Sequence, residues 1–284
     1  MSDNPQAAPP QEFRLPGHDV LAIAGRDAVA FAQAQFMNDV AALADGHWQW
    51  NGWLTPKGRV IALFALLKFD AETLWLLLPD AAAADLAAKL QRYVFRSKVV
   101  LAARGELHAS GAFAAPAQAS GARFAATEYG IELDFGGDGG ARRMRLGPAT
   151  APDAAAAVAQ WRRSDLQHGL PRLRDAQVEA WTPQQLSLER LRAFSVKKGC
   201  YPGQEIVART HFLGQAKRGL ALFDADGTVA DGAAVEAGGH AIGSVLCVQD
   251  DAVLAVVALD APGQASRAGE AALRPVPLLA GLAR

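Results

Sequence analysis

SVKKGCYPGQEIVART, residues Ser195–Thr210, gathers polar chemistry into one short segment of a chain that is half hydrophobic. Two lysines precede a cysteine boxed by Gly199 and Gly203, and Gln204, Glu205 and Arg209 follow. Pro202-Gly203 fits the central positions of a type II turn, because proline fixes φ at the first and glycine supplies the positive φ of the second. The turn sets Cys200 at its lip. "GQEIVART" then reads as a helix start, whose free N–H groups favour an anion. Lys197 and Lys198 would bias Cys200 toward the thiolate, the form that serves as nucleophile, metal ligand or redox group. Cys200 and Lys198 are therefore the catalytic candidates. A single cysteine is more often a small buried hydrophobe than a reactive group. No resolving cysteine stands nearby for dithiol chemistry, and His211 lacks the orienting partner that a Cys–His hydrolase needs.

Charge is distributed unevenly around this segment. Arg190, Arg192, Lys197, Lys198, Arg209, Lys217 and Arg218 lie between Ser187 and Leu220 against Glu189 and Glu205, whereas the stretch beyond carries Asp224, Asp226, Asp231, Glu236, Asp250, Asp251, Asp260 and Glu270 against Arg267, Arg274 and Arg284. A basic band next to the thiol suits an anionic ligand. The whole chain has a formal charge of −1, so no global basic excess points to nucleic acid. Cys200 and Cys247 are the two cysteines of the chain. That excludes a disulfide framework, and neither cysteine nor histidine spacing offers a metal site. The N-terminus lacks the basic-then-apolar order of a signal peptide, and no run is long enough for a membrane span. A cytoplasmic protein is expected, with neither a membrane nor a stably bound nucleic acid as partner.

A length of 284 residues implies two or three domains. Residues 1–13 read as a disordered tail. "HDVLAIAG" reads as a strand, and Asp27 as the cap of a helix over "DAVAFAQAQFMNDVAAL". "HWQWNGWLT", "GRVIALFALLKF" and "ETLWLLLP" read as three strands whose short connections demand antiparallel pairing. A helix starting at Asp80 covers "DAAAADLAAKLQRYVFR", the strand "SKVVLAAR" follows, and a last helix ends near His168 before Gly169 and Pro171. Short β-like runs after Lys217, separated by Gly/Asp turns, suggest a small antiparallel barrel. The class is α+β: residues 14–214 form two intertwined, largely antiparallel α+β units, and 215–284 the barrel.

"KKGCYPGQE" resembles the Lys-Gly-Cys-aromatic-x-Gly-Gln-Glu signature of the YgfZ family, folate-binding proteins related to the T-protein (aminomethyltransferase) of the glycine cleavage system. "FMNDVAAL", "LTPKGRVIA", "RYVFRSKV" and "GLPRLRDAQVEAWTPQQL" follow the family's order. The resemblance implies two α+β domains and a C-terminal barrel around a central opening that binds tetrahydrofolate. It also implies a role in making or repairing iron–sulfur clusters, with client enzymes or cluster-assembly proteins as partners and an indirect effect on tRNA modification. Tyr201, Gly203, Gln204, Glu205 and Arg209 become folate-contact candidates, with Lys198 or Arg209 available to the polyanionic glutamate tail. Glu179 is placed roughly where the superfamily holds an acid against the pterin, and Trp53, from the alternating Trp48, Trp50 and Trp53, could stack on that ring. Either of the latter two is also compatible with a purely structural role.

Where T-proteins carry an acidic pair, one member of it catalytic, this chain has Ala62 and Leu63. Neither side chain can move a proton, which puts aminomethyl transfer in doubt. Direct tRNA binding is the other rival. "RYVFRSK" interleaves cations with aromatics, and amphipathic packing with snorkelling cations is the expected reading of it.

Overall fold

The connections after Leu54 and Lys68 are too short for anything but tight turns, and the strands they join pair antiparallel as expected. The computed structural model describes residues 11–214, 216–260 and 265–284. In chain order the first elements are β1 (Phe13–Arg14), β2 (His18–Ala24), α1 (Ala28–Gln35), β3 (His47–Leu54), β4 (Val60–Lys68), β5 (Thr73–Pro79), α2 (Ala83–Gln91) and β6 (Val100–Ala103). Next come β7 (His108–Ala112), β8 (Ala125–Thr127), β9 (Gly130–Asp134), β10 (Arg143–Gly147), α3 (Ala155–Gln167) and α4 (Gln204–Leu213). Two five-stranded sheets result, ordered β3-β4-β5-β2-β6 and β1-β7-β10-β9-β8. Because β1 joins the second sheet while β2 joins the first, the two units are interleaved at their start.

The first sheet is buried on both faces, which is why β4 and β5 read as continuous apolar runs rather than as alternation. Phe31, Phe36, Trp53, Phe64 and Leu86 form the core between one face and helices α1 and α2. Trp48 and Trp50 point to the other core, where Trp48 stacks on Phe135 with ring centroids 5.3 Å apart. Full burial of each such ring is worth roughly 1.5–3 kcal/mol, so this seam holds the sheets together. Trp50 Nε1 also donates to the carbonyl of Leu282 at 2.8 Å, fastening the C-terminal segment to it.

The final strands are β11 (Arg218–Ala225), β12 (Ala234–Ala237), β13 (His240–Gln249), β14 (Ala252–Ala258), β15 (Ser266–Ala268) and β16 (Ala271–Val276). They close as the barrel β11-β14-β13-β12-β15-β16. A boundary near Gln215 falls on a residue outside the described set. Among the described residues no helix is long and apolar enough to cross a membrane.

Several local expectations are corrected. Of the expected tail, residues 1–10 lie outside the described set, but Phe13 is buried and its strand pairs with β7. Helix α1 stops at Gln35, and Phe36 is extended, because Asn38 turns the chain by bonding the carbonyls of Trp50 and Arg192. Asp27 does precede α1, but its carboxylate accepts the backbone N–H of Lys98 instead of capping. Asp80 does not start α2: it has a φ of 60°, and its carboxylate holds Arg172 and Arg174. "RYVFRSK" is not packed down either, since Phe95 is 88% exposed with the Arg96 guanidinium over its ring.

Candidate functional site

The cysteine loop closes upon itself before α4 begins. Gly203 has φ 79° and ψ 0°, and the Gln204 N–H donates to Tyr201 O at 3.2 Å, so Tyr201–Gln204 is the expected type II turn. Ser195 Oγ accepts the N–H groups of Lys197 and Lys198, the Tyr201 hydroxyl donates to Ser195 O, and Gln204 Nε2 donates to Lys198 O. Gly203 seats this ring on the β3–β4 hairpin. A Cβ there would stand 2.6 Å from Thr55 O and 2.7 Å from Gly58 Cα. Gly199 has open space around it, so nothing steric demands glycine at that position.

Cys200 is exposed at the rim of this ring. Lys198 is turned away into the protein. Its ammonium donates to the carbonyls of Gln33, Phe36 and Asn38 at 2.5, 2.6 and 3.2 Å, and it lies 4.9 Å from the Tyr201 ring centroid. It therefore caps the negative end of α1, where the last carbonyls lack helical partners. Burial pulls its pKa down to about 8, against an opposing pull from Asp39. Burial also pushes the Tyr201 phenol up to about 12. The expected role of Lys198 beside the thiol is thus replaced by one that anchors the loop.

The remaining candidates scatter. Gln204 and Gly203 belong to the loop's framework, and Glu205 and Arg209 are exposed on α4. Glu179 is exposed, with a φ of 62° and its N–H on Val60 O. Trp53 is 4% exposed and packs edge-on against Tyr93, so it belongs to a core. The basic band is likewise dispersed, because Lys198 goes to α1 and Arg190 to the carbonyl of Leu279.

Two cavities lie away from the cysteine. One, of about 370 Å³, is walled by Ile61, Ala62, Leu63, Leu86, Leu173 and Val178. The other, of about 450 Å³, lies between α3 and β13 and is walled by Arg162, Arg172, Arg174 and Cys247 among others. Arg174 lines both. Cys200 lines neither. Asp80 also borders the first cavity. Burial alone would raise its pKa, but Arg172 and Arg174 prevail and hold it ionised. Asp165, buried on α3, takes Arg142 at 2.6 Å and Arg172 at 2.9 Å. Arg162, Arg172, Arg174, Asp80 and Asp165 were not among the sequence candidates. For all of them but Asp80 the signal was the arginine density of "QWRRSDLQHGLPRLRD". Among the described residues no cluster of three metal-ligating side chains occurs.

No protein-family model matches the chain. It is 28% identical over 220 residues to an uncharacterized protein of Haemophilus influenzae, covering 75% of this chain and 73% of that one. It is 26% identical over 233 residues to the tRNA-modifying protein YgfZ of Vibrio vulnificus, covering 75% and 69%. To the tRNA-modifying protein YgfZ of Klebsiella pneumoniae it is 28% identical over 221 residues, covering 70% and 66%. The crystal structure of glycine cleavage system aminomethyltransferase T from Bartonella henselae matches with a TM-score of 0.71 over 94% of this chain and 84% of that one, at 14% identity. The chain thus has YgfZ homologues and a T-protein-like fold.

Proposed function

We propose that this homologue of the YgfZ proteins is a tetrahydrofolate-binding accessory protein. It supports iron–sulfur clusters in client enzymes and, through them, tRNA modification. The observation that carries this reading is the cavity walled by Ala62 and Leu63. Its volume suits a small-molecule ligand, and its lining sets Ile61, Ala62, Leu63 and Leu86 beside the charged Asp80, Asp85, Lys89 and Arg174, so a ring system can meet apolar groups with polar ones at the edge. At the two positions where an aminomethyl transferase would need an acid, methyl and isobutyl groups stand instead, and the nearby Asp80 is committed to two arginines. Folate is held here without being a substrate for that transfer.

The cysteine loop supplies the second function. Cys200 is exposed while the loop behind it is closed by its own hydrogen bonds, so the thiol can meet a partner protein or a cluster without disturbing the cavity. One thiol cannot complete a cluster's coordination, and the partner supplies the rest. Cells lacking the chain would be complemented with wild type or Cys200→Ala and assayed for a radical iron–sulfur tRNA thiolase. Loss of that activity in the variant, with folate binding retained in vitro, is expected. Full complementation by Cys200→Ala would remove the thiol from the mechanism.

One observation favours direct contact with RNA as a second reading: Phe95 projects from the protein with Arg92, Arg96 and Lys98 exposed around it. Exposed aromatics among cations suit unstacked bases. A steep fall of tRNA affinity with rising salt, lost in Phe95→Ala, would establish it.

A further inference from the structure

Three arginines, Arg162, Arg172 and Arg174, line the cavity between α3 and the barrel. Arg142, Arg172 and Arg174 share the two carboxylates of Asp80 and Asp165, each of which already serves two guanidinium groups. Arg162 is left over: among the described residues it has neither an ion pair nor a hydrogen bond, and it feels Arg172 and Arg174 as like charges and Asp80 and Asp165 as opposite ones at longer range. Arg172, whose side chain is 4% exposed, keeps a buried Nε with no partner. The barrel contributes Asp231, exposed on the cavity wall, and neutral groups such as Gln249 and Cys247. Buried donors and charges without partners are costly, and the cost is removed when an anion completes the set.

We propose that this cavity is an anion subsite for the carboxylate chain of the bound ligand. Guanidinium forks match carboxylates two bonds at a time, and Arg162 and Arg172 bring unused donors to one space. Arg174, common to both cavities, links that space to the one lined by Ala62 and Leu63. A single molecule can therefore place its ring against Ala62 and Leu63 and its acidic tail against Arg162. The identity of that molecule as a folate with γ-linked glutamates rests on the reading above. The carboxylate chemistry rests on the arginines alone.

Calorimetric titration of the full chain with tetrahydrofolate bearing one or three γ-linked glutamates, and with tri-γ-glutamate alone, tests the assignment in wild type, Arg162→Gln and Arg162→Lys. Wild type binds the three-glutamate form about tenfold more tightly than the one-glutamate form, a gain equivalent to one well-paired carboxylate. That gain vanishes in Arg162→Gln and is partly kept in Arg162→Lys. Equal affinity of wild type for the two folates would overturn the subsite and leave the ring site standing. Arg162-dependent binding of tri-γ-glutamate without any folate binding would support the subsite and remove the folate. Binding of none of the three would overturn both.

Discussion

Lys198 Nζ lies 2.6 Å from the carbonyl oxygen of Phe36, across 162 residues of sequence. That contact ties the cysteine loop to the end of α1, and with Gly203 on the β3–β4 hairpin it fixes where Cys200 emerges. Lys198→Met should strand the carbonyls of Gln33 and Phe36. The expected loss is about 2–3 kcal/mol, from the cost of leaving buried acceptors unpaired. Thermal denaturation of the variant checks this, and an unchanged midpoint would show that the ammonium contributes nothing.

Gly203 and Gly199 should respond differently to the same change. Gly203→Ala forces a left-handed backbone onto alanine and drives its methyl into Thr55 O and Gly58. A loss of about 3 kcal/mol or more is expected from the strain and the clash together. Gly199→Ala meets open space and should stay within about 0.5 kcal/mol of wild type, as ordinary surface changes do. Equal effects in urea unfolding would contradict the placement of the turn.

Acid should weaken the protein through His18. Burial, reinforced by Arg172, lowers its pKa to about 4, and its Nδ1 is buried without a partner. The unfolded chain therefore takes up this proton near the ordinary value of about 6.5 while the folded chain does not. Stability is complete above that pH, falls as pH drops toward 4, and gains no further loss from this group below it. A His18→Asn variant should show a flatter stability profile between those limits. A profile identical to wild type would exclude His18 as the cause.

Ile61 offers a way to close the cavity beside Ala62 and Leu63. It is half-buried on β4 and lines the cavity wall, so Ile61→Trp should fill the space while the fold persists. Loss of folate binding with a native circular dichroism spectrum is the expected outcome.

Much of the fold was legible because it follows from local rules. The strands of the first sheet and the barrel announce themselves through turn residues and short spacings, and Pro202-Gly203 specified its turn type outright. Other features depended on partners distant in sequence. Nothing near Phe36 says that a helix must end there, because Asn38 satisfies Trp50 and Arg192 and Lys198 caps the carbonyls from far along the chain. Asp80 looked like a helix cap for the same reason: its arginines lie 92 and 94 residues away. In the candidate site, residue type pointed to Cys200 and its turn, whereas the arginine cavity arises only when α3 meets the barrel.

The central claim is that the cavity beside Ala62 and Leu63 holds a folate and that Cys200 does its work elsewhere. Calorimetric titration of tetrahydrofolate into wild type, Cys200→Ala and Ile61→Trp tests it most directly. The account predicts one site of the same affinity in wild type and Cys200→Ala, and none in Ile61→Trp. Undiminished binding in Ile61→Trp, or binding abolished by Cys200→Ala, would contradict it.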